Sequence, residues 1–208
     1  MDERIIKDAN DVAEGAAWLA DAEPAFAPLI ERLSPLPLRL KSSGFVAVLD
    51  IINGQQVSVA SANAINARMR AAGFVTPQAV LAAPETALRD VGFSKQKIRY
   101  ARGLAEADLD FDALHAMPSE QAIKALVALP GIGSWTAQIY VMFSMGRADV
   151  FADGDLALQV AIGDVFGTDR PTERETRAIA ARWSPWRSVA ARLLWAYYAE
   201  MTGRRGLV

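Results

Sequence analysis

Apolar residues return every third or fourth position along almost the whole chain, and no stretch alternates apolar and polar residues with hairpin chemistry at its end. That period points to an all-α fold, because a helix is the element that gathers such positions onto one face. Helices are expected over residues 9–22, through AFAPLIERL, and along the tract 44–73 with a break at Asn53-Gly54. Further helices are expected over 77–90, 94–107, 119–128, 134–145, 156–166, 172–183 and 185–201. In TERE, Thr172 faces Glu175 as a capping box, and in SPW, Ser184 reads as a cap with Pro185 as first helical residue. The proline-punctuated SPLPLRLKSS at 34–43 is the best linker.

The chain has 208 residues, enough for one large or two small domains. It contains no cysteine, which removes disulfides, thiolate metal sites, iron-sulfur clusters and cysteine nucleophiles. Its one histidine, His115, leaves histidine triads and multi-histidine zinc sites short of residues. No window reaches the roughly 20 apolar residues of a membrane span, and the acidic start lacks a basic leader, so no membrane partner and a cytoplasmic location are expected. The net charge of −2 is uneven: residues 1–31 hold eight acids against Arg4 and Lys7, leaving the rest of the chain positive by 4. Two basic clusters, Lys95, Lys97, Arg99 and Arg102, and Arg182, Arg187, Arg192, Arg204 and Arg205, would suit phosphate contacts or equally a solvated helix face.

Helix formers are interrupted at ALPGIGSWTA, 128–137. Pro130 stops one helix, and Gly131 and Gly133 permit a tight reversal and close backbone approach. The amides of Gly131, Gly133, Ser134 and Trp135 would then open the next helix as a cradle for an anion. Spacing alone leaves an ordinary interhelical turn equally open.

LPGIGSWTAQ resembles the hairpin of the helix-hairpin-helix DNA glycosylases, a family that follows it with a glycine-rich loop and an aspartate, here GRADVFADGDLALQ at 146–159. INGQQVSVASA at 52–62, VGFSKQKIRYARGLA at 91–105 and RWSPWRSVAARLLWAYY at 182–198 extend the likeness in the same order. Where bifunctional members carry a Schiff-base lysine, this chain has Trp135, so the resemblance is to the monofunctional 3-methyladenine DNA glycosylase II branch. It implies double-stranded DNA containing alkylated bases as partner, base excision without strand cleavage, and a monomer. It also implies two helical subdomains flanking an active-site cleft. One spans 38–150, with the helix-hairpin-helix at about 118–146, and the other joins 1–37 to 151–208.

The resemblance assigns Asp155 as the catalytic carboxylate, at the cleft, with Asp153 as its rival and helix capping as the structural alternative. Trp135 and Trp195 would line the base pocket, where stacking and cation–π attraction favour an alkylated, cationic base. Ile139 would be a less aromatic pocket position; Trp183 and Trp186 read as core. Gln55 and Gln56 occupy the wedge region that fills the gap left by a flipped base, best matched by Gln56, although a solvated turn would look the same. Gly131, Gly133, Ser134 and Thr136 would meet the DNA backbone. No cofactor is expected to be required, and the carbonyls of Val127, Leu129 and Ile132 would hold a monovalent cation, Na+ or K+. Three alternatives stand beside this reading: a non-catalytic DNA-binding module, a glycosylase/lyase acting on oxidised bases, and a helical protein-interaction domain.

Overall fold

The computed structural model describes residues 3–203. Among these, helices account for all regular structure except an isolated antiparallel bridge between Ile5 and Arg147. The chain divides into two units, the first made of residues 1–40 and 141–208, the second of residues 41–140.

In the first unit, α1 (Ala9–Ala22) opens on a capping box: the Asp8 carboxylate accepts from the amides of Asn10 at 2.7 Å and Asp11 at 3.2 Å. Helices α2 (Ala27–Leu33), α11 (Leu156–Val165), α12 (Glu173–Ala180) and α13 (Arg187–Thr202) complete it, with a 3-10 turn over Ala181–Trp183. α11 and α2 pack on α13, as does α1. Trp183 is fully buried among Phe26, Phe151 and Phe166, with ring centroids 5.0, 5.5 and 6.5 Å away. α1 meets α13 closely because Gly15 has no side chain: a Cβ there would stand 2.6 Å from Trp186 and 2.7 Å from Val189.

The second unit contains α3 (Phe45–Gly54), α4 (Val59–Ala71), α5 (Pro77–Ala82), α6 (Glu85–Asp90), α7 (Lys95–Glu106), α8 (Phe111–Ala116) and α9 (Ser119–Val127). α7 is its central element, contacted by α3, α5 and α6. Its buried positions Ile98, Ala101, Leu104 and Ala105 follow the helical period. The division between the units at 140/141 falls inside α10 (Ser134–Phe143).

Several boundaries differ from the sequence expectation. The tract 77–90 is two helices, because Pro84 follows Ala83 and holds it extended between them. α8 was not expected; its six residues rest on Asp110, whose carboxylate accepts from Asp112 and Ala113 amides at 3.0 and 2.9 Å. Ser184 does not cap α13. The helix begins at Arg187 with Trp186 as its cap residue, and the Ser184 hydroxyl donates instead to Asp149 at 2.8 Å. The break expected at Asn53-Gly54 comes just after Gly54, and Thr172 and Glu175 form their capping box.

The two basic clusters do not act as units. Lys97 is 9% exposed and Arg192 is fully buried, whereas Lys95 and Arg99 are exposed; Arg204 and Arg205 lie outside the described residues. Arg192 directs its donors to the Leu38 carbonyl at 2.9 and 3.1 Å, and to the Ser188 carbonyl and hydroxyl at 2.8 and 3.0 Å. Burial, with Arg39 nearby, pushes its guanidinium down to about 9, so it stays charged at neutral pH. Replacing Gly15 with alanine should destabilise the protein by about 1–3 kcal/mol through overpacking against Trp186, read as a lower urea midpoint with an unchanged slope.

Candidate functional site

The hairpin is built from α9, the turn 128–133 and α10. The turn closes through Leu129 N–H to the Leu126 carbonyl at 3.0 Å and Ile132 N–H to the Leu129 carbonyl at 3.2 Å. Gly131 is doubly constrained. Its φ is +81°, and a Cβ would lie 2.2 Å from the Tyr100 ring, so the turn seats directly on α7. Gly133 has nothing within 4 Å of a hypothetical Cβ and is exposed, as is Ser134, so the first amides of α10 open onto solvent.

These residues surround a depression of about 660 Å³ that also takes in Gly54, Gln55, Gln56, Tyr100, Val127, Leu129, Trp135 and Thr136. Ten of the positions singled out from sequence thus fall within or beside one concavity of the second unit: Gln55, Gln56, Val127, Leu129, Gly131, Ile132, Gly133, Ser134, Trp135 and Thr136. The carbonyl oxygens of Val127 and Leu129 lie at and just beyond the C-terminal end of α9, where the helix dipole is negative, and neutral carbonyls of this kind suit a monovalent cation. Leu129 already accepts one hydrogen bond, which leaves a second lone pair.

The two glutamines are told apart by structure. Gln55 is half-buried and its Nε2 donates to the Gly131 carbonyl and the Thr136 hydroxyl, each at 3.0 Å. Gln56 is exposed and carries φ +58°, a left-handed backbone uncommon for a residue with a side chain. Thr136, expected at the DNA backbone, is 3% exposed and faces inward to Gln55.

In the first unit, Asp155 caps α11: its Oδ1 accepts from the Leu158 amide at 3.1 Å and from Trp195 Nε1–H at 3.2 Å. Capping and chemistry are compatible, because the cap bond fixes the carboxylate at the positive end of the helix. Trp195 has no exposed surface; it lies against Phe143, with centroids 5.8 Å apart, and under Arg39 Cζ at 5.8 Å. Ile139 is 1% exposed. Neither offers a face for stacking here, while Trp135 is half-exposed. The rival Asp153 is 3% exposed and ion-paired with Arg177, which also pairs with Glu173 at 3.1 Å.

In the sequence Lys97 stands out only as part of a basic cluster. It stands four positions before Ala101 and seven before Leu104, on the apolar stripe of α7, and a lysine at that register is the signal that marks it. Its ammonium donates to the Asn53 carbonyl at 2.6 Å, and burial pushes its pKa below the ordinary lysine value. Among the described residues, no helix is long and apolar enough to cross a membrane, and no group of three or more His, Asp or Glu side chains is placed to hold a metal.

Residues 49–185 match the model of the HhH-GPD superfamily of base excision DNA repair proteins, and the chain belongs to that superfamily. It is 32% identical to DNA-3-methyladenine glycosylase 2 of Escherichia coli over 158 residues, covering 69% of this chain and 54% of that one. The chain spans 66% of a Bacillus subtilis relative that it matches at 29% identity. Among solved structures, a DNA-3-methyladenine glycosidase from Bacillus halodurans superposes with a TM-score of 0.77 at 28% identity, covering 98% and 95% of the two chains. The 3-methyladenine DNA glycosylase of Schizosaccharomyces pombe, solved in complex with abasic DNA, shares the fold with a TM-score of 0.78 at 24% identity over 88% of this chain and 95% of that one.

The two hairpin glycines should respond differently to alanine. Gly131→Ala should lose more than about 2 kcal/mol, because the left-handed backbone and the Tyr100 ring both oppose a methyl group. Gly133→Ala should stay within about 0.5 kcal/mol of wild type in thermal denaturation.

Proposed function

We propose that the protein is a monofunctional DNA glycosylase that releases alkylated purines from double-stranded DNA after base flipping. The observation that carries the reading is the Asp155 carboxylate, held at the head of α11 by the Leu158 amide and Trp195 Nε1–H, in a chain of this superfamily whose hairpin has Trp135 in place of an amine. The names of the relatives support the alkylpurine class.

The chemistry follows from charge. As the C1′–N bond breaks, its electron pair goes to the base, and an alkylated, cationic purine leaves neutral. The deoxyribose becomes cationic at C1′, and a fixed carboxylate stabilises it more than it stabilises the ground state. Water then bonds to C1′ and gives up a proton, which Asp155 can accept. Two hydrogen bonds to one oxygen fix the carboxylate before the reaction, so little reorganisation accompanies the charge.

The hairpin amides of Gly133, Ser134 and Trp135 would hold a backbone phosphate. The carbonyls of Val127, Leu129 and Ile132 would hold a monovalent cation, whose charge would add to the attraction for that phosphate. Trp135, half-exposed at the same depression, would stack on the cationic base, and Gln56 would fill the vacated stack. Trp195 acts through Asp155 rather than on the base.

Asp155→Asn keeps an oxygen that can cap α11 and accept from Trp195, so the fold should persist. Release of 3-methyladenine from methylated duplex should nevertheless fall by about 10²–10³-fold. Equal release by the variant would remove Asp155 from the mechanism. With no amine in the hairpin, borohydride should trap no covalent adduct on abasic DNA, and a trapped adduct would point to a lyase instead. Trp135→Ala should slow release of cationic bases by about tenfold or more while binding to undamaged duplex is retained, the expected loss of one base–aromatic stack.

A further inference from the structure

We propose that Lys97 is a positioning residue for base extrusion, holding the end of α3 so that the turn carrying Gln56 presents its side chain to the base stack. The inference rests on the glycosylase reading above and assigns a residue to a step that the reading leaves without a support.

Lys97 is the one lysine placed on the buried face of α7, and its ammonium has the Asn53 carbonyl as acceptor at 2.6 Å. Asn53 is fully buried, its side-chain amide donating to Asn66 at 2.9 Å. α3 ends one residue later, where helix carbonyls lack intrahelical partners and the dipole is negative, so a buried cation is bound where it is best tolerated. Two residues on, Gln55 is tied to Gly131 and Thr136. The chain is thus pinned at 53 by α7 and at 55 by the hairpin.

Gln56 follows directly, exposed and at φ +58°. Such a backbone persists on a residue with a side chain only where its surroundings over-determine it. Beside it, Val57 and Val59 remain 39% and 48% exposed, so the turn also offers apolar surface outward. An ammonium at 9% exposure opposes burial, and its pKa is pushed down accordingly; an apolar side chain at 97 would avoid that cost but would take the donor from the Asn53 carbonyl. The charge is kept there against that penalty, bonded to the carbonyl that sets where the wedge turn starts, and so it fixes the backbone from which Gln56 is aimed.

The test compares two duplexes, one with a methylpurine in a normal pair and one with the same methylpurine in a single-nucleotide bulge, where unstacking is largely complete before the enzyme binds. Lys97→Met keeps the stem and removes the donor. Its single-turnover release from the paired site should fall by about tenfold or more, and from the bulge it should stay within about twofold of wild type. Its melting temperature should stay within about 4 °C of wild type. Gln56→Gly, which leaves Lys97 untouched and relieves the left-handed backbone, should show the same dependence on stacking. Equal losses on both duplexes, or no loss on the paired one, would overturn the positioning role. If Lys97→Met does not fold, Lys97→Gln, which keeps a shorter neutral donor, decides the matter on the same two duplexes and in the same terms. Wild type that releases methylpurine from neither duplex would instead overturn the glycosylase reading, and this inference with it.

Discussion

One carboxylate oxygen, Asp155 Oδ1, receives two hydrogens, from the backbone at Leu158 and from the indole of Trp195, and the geometry of the first unit is arranged to bring those two donors together. The first donor exists because α11 begins where the loop 146–155 ends. The second depends on the register of α13, which carries Trp195. That register is set by Gly15, which lets α1 approach Trp186 and Val189, and by Arg192, one turn before Trp195, which reaches back to the carbonyls of Ser188 and Leu38. The buried guanidinium belongs to the same design. Its donors fix the chain around Leu38, and the next residue, Arg39, sits at φ +54° above the Trp195 ring.

The second unit solves a different problem, that of presenting exposed backbone and side chains without letting them wander. Gly131 provides the contact that matters: without a Cβ the turn rests on Tyr100, and Gln55 reads the carbonyl of the same glycine. The hairpin and the turn at 55–58 therefore share an anchor on α7, and the depression they line has a fixed floor.

Much of this was legible in the residues. The helical period gave the fold class, the Thr172/Glu175 spacing gave a cap, and LPGIG gave a turn between two helices, because each is a local signal whose partner lies within a few positions. The places where the structure departs from these local signals share a cause as well. Ser184-Pro185 looked like a helix start, but Asp149, 35 residues away, takes the serine hydroxyl. The tract 77–90 looked continuous because its apolar period runs through Pro84, and α8 is too short to show a period at all. Lys97 and Arg192 look like members of solvated basic clusters, since charge is visible in a sequence whereas the carbonyls that receive it, 44 and 154 positions away, are not. Gln55 and Gln56 are alike as letters; only backbone conformation turns one inward and the other outward.

The first unit takes its residues from both ends of the chain, 1–40 and 141–208, while the second is continuous. During synthesis α1 and α2 leave the ribosome well before α13, the helix they pack against, has been made. Their apolar faces, Leu19 and Leu29 among them, must wait for the last third of the polypeptide. Eight acids lie among the first 31 residues, so the segment that waits carries like charge, the property that keeps an unpaired apolar helix face from associating with another.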